Sequence, residues 1–169
     1  MAAIIFKHKG DFNSQTKENR ALRFVHKYIK AVTSDLSLPY PDTKFYAPSA
    51  IFYDTTNVTY TGAEAIKTWM LKLFSPFDKV ELRGMSFVVI DETTETGALY
   101  TATVETMVKF FVKGDPEPIL VPRLFVFEIR DSVSDNGFDG LQFFNVKLYW
   151  DTALLLNEIK RRREERGEV

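Results

Sequence analysis

Asp54 is the residue of this sequence whose type and position best suit acid–base chemistry. It ends a short apolar segment, residues 50–54, a few residues before a predicted helix. A carboxyl group in apolar surroundings has a raised pKa, and such a group can move a proton on carbon or oxygen of an apolar substrate. The same position, before Thr55 and Thr56, is also typical of an aspartate that closes a turn. Both interpretations are open from the sequence.

The segment after Asp54 predicts a helix that would stand beside this carboxylate. Residues 61–64, Thr-Gly-Ala-Glu, have the pattern of a capping box, in which side chains satisfy the first backbone amides of a helix. Apolar residues then recur at helical spacing as far as residue 74. The predicted helix spans residues 62–74 and turns Trp69 toward the interior.

A phenol in an earlier helix is the second candidate for chemistry. Apolar spacing predicts a helix from near Ser14 or Thr16 to about Thr33, and Tyr28 lies in its apolar stripe. In a dry site a tyrosine hydroxyl can stabilise an enolate or alkoxide oxygen. The alternative is a core tyrosine whose hydroxyl bonds to the backbone.

Four long segments rich in Val, Phe, Tyr and Thr predict the strands that would hold these groups. They span residues 79–90, 98–112, 119–130 and 141–150. Alternation along a strand assigns one set of side chains to the interior. The set comprises Tyr100, Ala102, Val104, Thr106, Val108, Phe110, Val121, Arg123, Phe125, Phe127, Ile129, Phe144, Val146, Leu148 and Trp150.

Arg123 is the one cation in this predicted interior. It would either contact a ligand or pair with Glu105 or Glu128. A bulge that shifted the strand parity would instead place it on the outer surface.

The order of elements predicts an α+β fold in a single domain, residues 1–169. A long antiparallel sheet must coil, so we expect a cone-shaped curved sheet wrapped around the N-terminal helices, with a pocket at its wide end. Residues 1–13 form an N-terminal arm, and Asp151 caps a C-terminal helix with a charged tail, residues 152–169. The charge run 161–166 predicts a solvated helix end or a basic interaction tail.

Composition excludes several classes of function. With 22 basic and 23 acidic residues, the net charge is −1, so no global field favours nucleic acid or an anionic membrane. The lack of cysteine excludes disulfides and thiolate metal sites, and His8 and His26 have no metal-binding spacing. No segment approaches the roughly 18 apolar residues of a membrane span. We expect a soluble, cytoplasmic protein without metal or cofactor.

Three segments resemble the NTF2-like superfamily, in particular its SnoaL-like and ketosteroid-isomerase-like branches. They are FYAPSAIFYD at 45–54, YTGAEAIKTW at 60–69 and LYWD at 148–151. Element order extends the resemblance over residues 16–159. It implies the curved-sheet fold already predicted from the strands.

The resemblance also implies roles for individual residues. Asp54 falls at the general base of ketosteroid isomerases, Tyr28 at the oxyanion donor and Tyr46 in the same hydrogen-bonded network. Trp150 matches an aromatic pocket residue. The aspartic acid that completes that family's oxyanion hole is missing, because its position falls near Phe125. The paired histidines of the scytalone-dehydratase-like branch also have no counterpart in the strands.

Two functions follow from these patterns. The first is a cofactor-free isomerase, cyclase or dehydratase that acts on a hydrophobic, carbonyl-bearing metabolite through Asp54 and Tyr28. Its predicted substrate contacts are Tyr46, Trp69, Tyr100, Arg123, Phe125, Phe144 and Trp150. The alternative is a non-catalytic module that binds a small hydrophobic molecule or a protein. We also expect a homodimer through an outer sheet patch of Met85, Phe87, Val89, Met107 and Phe111.

Overall fold

A computed structural model describes residues 3–56, 58–133 and 137–167 of the chain. The elements in chain order are β1 (Ile4–Lys9), α1 (Ser14–Glu18), α2 (Arg20–Ser34), β2 (Tyr46–Tyr53), β3 (Thr59–Thr61), α3 (Ala63–Phe74), β4 (Phe77–Asp91), β5 (Leu99–Val112), β6 (Ile119–Asp131), β7 (Leu141–Trp150) and α4 (Thr152–Glu165).

The seven strands form one curved, unclosed sheet in the order β1-β4-β5-β6-β7-β2-β3. Neighbouring strands are antiparallel except β2 and β7, which run parallel. This arrangement confirms the predicted α+β fold. The apolar stripe of α2 is buried, as is one side of α3. The segment described above as an arm contains β1, an edge strand paired with β4.

The central strands β5 and β6 have the predicted orientation. Along β5 the even-numbered residues from Tyr100 to Val112 are buried. Along β6 the odd-numbered residues from Ile119 to Ile129 are buried, including Arg123. An unbroken ladder between the two strands keeps the side-chain alternation in phase over its whole length.

Two β-bulges, one in β4 and one in β7, reverse the side-chain alternation and correct the sequence prediction. In β4 the register shifts between Gly84 and Ser86, which leaves Met85 unpaired and 41% exposed. Phe87 and Val89 therefore turn inward and are buried, so their assignment to an outer dimer patch is wrong. One extra residue changes the face of every side chain that follows.

The second bulge lies in β7 and corrects the position of Phe144. Ile129 of β6 pairs with Phe143, whereas Glu128 pairs with Asn145, so Phe144 has no partner in the ladder. Phe143 is fully buried in its place. The half-buried ring of Phe144 lies 5.4 Å from the guanidinium carbon of Arg130. The prediction that Phe144 shares the inner face is wrong.

The helix termini also differ from the predicted ones. Asn19 caps α2 by accepting from the backbone N–H of Leu22, so the predicted first helix divides into α1 and α2. The capping box at 61–64 is wrong, because Thr61 is a strand residue paired with Ile51 and α3 has no side-chain cap. Gly62 occupies the N-cap position with φ 90°, a left-handed backbone conformation that favours glycine.

The C-terminal helix begins as predicted and ends differently. The carboxylate of Asp151 caps α4 by accepting from the N–H of Leu154 at 3.0 Å. The side chain of Arg162 is 15% exposed and bonds to the carboxylate of Asp115 within the β5–β6 connection. The prediction of a solvated helix end is therefore wrong for Arg162. In the described ranges, no helix has both the length and the apolar character that crossing a membrane requires.

Candidate functional site

A small hollow lies between α2, α3 and the inner face of the sheet. Its volume is about 40 Å³, room for one or two water molecules at about 30 Å³ each. The side chains around it are almost all apolar or aromatic: Tyr28, Ile29, Val32, Thr33, Phe52, Trp69, Met70, Leu73, Phe74, Val80, Leu82, Val108, Arg123, Phe125, Phe127 and Leu148. Thr33, Leu73 and Leu82 are only partly buried, so the hollow meets the surface between α2, α3 and β4.

Two tyrosines form a hydrogen-bonded pair at the closed side of this hollow. The hydroxyl oxygens of Tyr28 in α2 and Tyr46 in β2 lie 2.6 Å apart, and either one can donate. Both hydroxyls are within 3.8 Å of the sulfur of Met70. Burial raises the pKa of Tyr28 to about 12 and the pKa of Tyr46 well above its usual value. Both phenols are therefore neutral donors at neutral pH.

Arg123 brings a buried positive charge to the wall of the hollow. Its guanidinium carbon lies 3.9 Å from the ring centroid of Trp150 and 4.6 Å from that of Phe110. Its Nε and Nη2 atoms are buried and have no hydrogen-bond partner among the described residues. Burial lowers the pKa of Arg123 to about 9, so the group is protonated at neutral pH.

Neither of the predicted ion pairs of Arg123 forms. The carboxylate of Glu105 accepts from the hydroxyl of Ser86 at 2.7 Å, and that of Glu128 accepts from Arg130 at 2.7 Å. The glutamates alternate with the buried residues of their strands and so lie on the opposite face of the sheet from Arg123. The guanidinium of Arg123 therefore contacts aromatic rings and borders the hollow, and it does not pair with either glutamate.

Asp54 has turn contacts and does not line the hollow. One carboxylate oxygen accepts from the backbone N–H and hydroxyl of Thr56, at 2.8 and 2.7 Å, and from the N–H of Val58 at 3.1 Å. The other accepts from the hydroxyl of Tyr60 at 3.4 Å. Asp54 borders a separate depression of about 270 Å³ near Lys147. The structure therefore does not bring Asp54 and Tyr28 to one cavity.

Some of the other predicted site residues lie at or near the hollow, and the others lie away from it. Trp69 and Phe125 line the hollow, and Trp150 lies behind Arg123. Tyr100 is buried on the inner face without reaching the hollow. Phe144 lies outside it, as the β7 bulge requires.

Comparisons with known proteins found similar structures, but no match by sequence to a family model or a curated protein. The Kfla4162 protein of Kribbella flavida superposes with a TM-score of 0.60 at 15% identity, covering 83% of this chain and 97% of that one. ActVI-ORFA of Streptomyces coelicolor gives 0.56 at 14% identity, with coverages of 78% and 94%. Nuclear transport factor 2 of Cryptosporidium parvum gives 0.55 at 18% identity, with coverages of 83% and 98%.

The chain has the NTF2-like fold. The match spans nearly the whole of each relative, which is the extent that a shared architecture requires. At such low identity the similarity shows the fold alone, and function has to be argued from the site.

Sequence reasoning missed one contact of the tyrosine pair and two strand residues of the hollow. Met70 contacts both tyrosine hydroxyls, and Val80 and Leu82 of β4 face the hollow on the near side of the bulge. Gly84 carried a signal for that bulge, because an isolated glycine within a strand pattern often marks one. The Phe143-Phe144 pair carried no comparable signal.

Proposed function

We propose that this NTF2-like protein binds a small hydrophobic molecule in the hollow between α2, α3 and the sheet. The observation that supports this is the apolar hollow itself, which reaches the surface between Thr33, Leu73 and Leu82. Binding pockets for small molecules are typically apolar with a few polar groups that fix orientation. Here those groups are the hydroxyl of Tyr28 and the guanidinium of Arg123.

Binding requires the hollow to widen. Ligand pockets typically measure about 300–1,000 Å³, several times the volume present here. The lining includes side chains that can move: Met70 in the interior is unbranched, and Leu73 and Trp69 are only partly buried. A ligand would displace these side chains and take the space between α2 and α3.

Catalysis is the second candidate, supported by the Tyr28–Tyr46 pair. A carbonyl oxygen that accepted from Tyr28 would be polarised in a dry site, as a cofactor-free isomerase, cyclase or dehydratase requires. Such an enzyme also needs a base. Among the described residues that line the hollow, none is a carboxylate or a histidine. Binding without chemistry is therefore the function we place first.

The test is a titration followed by tryptophan fluorescence, since Trp69 lines the hollow and Trp150 contacts Arg123. We expect saturable changes with some members of a panel of short aliphatic alcohols, amides, ketones and carboxylates. Val108→Ile would fill the hollow by one methylene and weaken binding by about tenfold, since overfilled sites exclude ligands. Val104→Ile, on the same face of β5 but away from the hollow, is the matched control and should bind normally.

Two results would count against binding in the hollow. One is the absence of saturable binding by any compound of the panel. The other is equal binding by the Val108 and Val104 variants, which would place the ligand elsewhere.

A further inference from the structure

We infer that the ligand of this hollow carries a carboxylate, and that Arg123 binds it. This inference rests on the proposed binding function and adds the chemical class of the ligand. The juxtaposition that supports it is a buried guanidinium with free donors at the edge of an otherwise apolar hollow.

Arg123 is a positive charge that lacks its counter-charge. It is 6% exposed, and its Nε and Nη2 atoms contact no hydrogen-bond acceptor among the described residues. Burying a cation without a partner is costly, and such cations in proteins normally pair with an anion. Glu128 of the same strand and Glu105 of the neighbouring β5 do not supply this anion, because both lie on the opposite face of the sheet and bond elsewhere.

The two aromatic contacts do not satisfy the donors of Arg123. The rings of Phe110 and Trp150 interact with the charge of the guanidinium through their π faces. The N–H groups point outward in the guanidinium plane and still need acceptor atoms. The rings of Phe110 and Trp150 therefore hold Arg123 in place, while its Nε and Nη2 donors make no hydrogen bond to the described residues.

The free donors have the geometry that suits a carboxylate. Nε–H and one Nη2–H project in parallel from the same side of the guanidinium. A carboxylate accepts such a pair through both of its oxygens, and this bidentate contact is short and strong. Arg123 lines the hollow, and its Nε and Nη2 atoms are fully buried there, so the widening that ligand binding requires would have to open the way to these two donors.

The rest of the lining selects an apolar, singly charged ligand. Arg123 is the only charged side chain among the described lining residues, so one negative charge is matched and a second is not. A doubly charged phosphate would remain partly uncompensated in apolar surroundings. From Arg123 the ligand's apolar part would extend toward the mouth between Leu73 and Leu82.

The experiment compares hexanoate with hexanamide, which has nearly the same shape but no charge. Calorimetric titration and the ligand-induced rise in melting temperature are measured for wild type, Arg123→Met and Arg123→Gln. We expect wild type to bind hexanoate at least about tenfold more tightly than hexanamide, because bonds to a charged partner are the stronger ones. Both variants should lose this preference and bind hexanamide within about threefold of wild type.

The possible results separate the carboxylate inference from the proposed binding function. Equal binding of the two compounds by wild type would overturn the carboxylate inference and leave the hydrophobic site standing. An unchanged preference for hexanoate in both variants would also overturn it, since the anion would then bind elsewhere. If neither compound bound any of the three proteins, the proposed function would fail together with the inference. Arg123→Met should fold well, because it removes an unpaired buried charge and keeps an apolar side chain of similar length.

Discussion

The hydroxyl oxygens of Tyr28 and Tyr46 lie 2.6 Å apart in the interior, and this contact joins α2 to the first residue of β2. Both side chains are almost fully buried, at 6% and 2% exposure. Each phenol therefore provides the other with the hydrogen bond that it would lose on leaving water. Removing one hydroxyl leaves the other buried without this hydrogen bond, which should lower the stability of the folded protein.

We expect Tyr46→Phe to lower the free energy of unfolding by about 1–2 kcal/mol, because it leaves the Tyr28 hydroxyl buried without its partner. Tyr28→Phe should cost a similar amount for the same reason. The double variant should cost no more than either single one, since no buried hydroxyl is then left unpaired. Urea unfolding of the four proteins measures this cycle. Additive costs would show that the two hydroxyls act independently.

The raised tyrosine pKa values predict a loss of stability at high pH. Burial raises the pKa of Tyr28 to about 12 from a usual value of 10.0. Between these values the unfolded chain releases the phenolic proton and the folded chain keeps it, so the folded state becomes less stable as pH rises. Urea unfolding between about pH 10 and pH 12 should show this fall. The double phenylalanine variant should show a smaller fall, and an equal fall would assign the effect to other groups.

Asp54 is predicted to support stability rather than ligand binding. Its carboxylate organises the turn after β2 through Thr56 and Val58. Asp54→Ala should therefore destabilise the protein by about 1–2 kcal/mol, whereas Asp54→Asn keeps an acceptor oxygen and should lose less. Neither change should alter ligand affinity by more than about twofold. Loss of ligand binding in a stable Asp54→Asn variant would instead place Asp54 at the ligand site.

The sequence was most informative where hydrogen bonding is regular. The ladder between β5 and β6 has no bulge, so alternation alone placed Arg123 and Phe125 on the inner face. In β4 and β7 one extra residue, Met85 or Phe144, reversed the alternation that follows. Such a bulge depends on how neighbouring strands pair, and a count along one strand does not contain that information.

The candidate site, like the sheet, was predictable from the sequence only in part. The resemblance to NTF2-like proteins implied that Tyr28 and Tyr46 belong to one network, and their hydroxyls are in contact. The turn interpretation of Asp54 was available from the residues that follow it. The size of the hollow was not available, because it depends on how the side chains of two helices pack against the sheet. The sequence also could not show that the Nε and Nη2 donors of Arg123 lack acceptors, since Glu105 and Glu128 were both possible partners.

Gly84 should tolerate no side chain while Phe87 is present. A Cβ at Gly84 would overlap the ring of Phe87. This ring is buried and packs on Phe12 with centroids 4.5 Å apart, so it has little room to move. Gly84→Ala should destabilise by about 1–3 kcal/mol, as overpacking of cores generally does.

A second substitution tests whether the Phe87 ring is the cause. Phe87→Leu alone should be destabilising because it removes buried surface. In the Phe87→Leu background, Gly84→Ala should cost less than it does in wild type, because the ring that it meets is gone. Thermal or urea unfolding of the four proteins gives the coupling. An equal cost in both backgrounds would assign the effect to the backbone at the bulge.

We expect Arg162 to hold α4 against the β5–β6 connection, whereas its neighbour Arg161 should not contribute to this contact. The guanidinium of Arg162 donates to the carboxylate of Asp115 at 2.7 Å and to the backbone oxygen of Glu117 at 2.6 Å. Arg161 is 52% exposed and pairs with the Glu158 carboxylate within its own helix. Bonds from a charged donor to half-buried acceptors are stronger than exposed pairs within a helix.

Arg162→Met should lower the free energy of unfolding by about 1–3 kcal/mol, with the apolar stem of the side chain retained. Arg161→Met, in the adjacent position with the same loss of charge, should change it by less than about 0.5 kcal/mol. Hydrogen exchange should show faster opening of α4 amides in the first variant alone. Equal effects of the two substitutions would mean that net charge, rather than the contact with Asp115, holds the C-terminal helix in place.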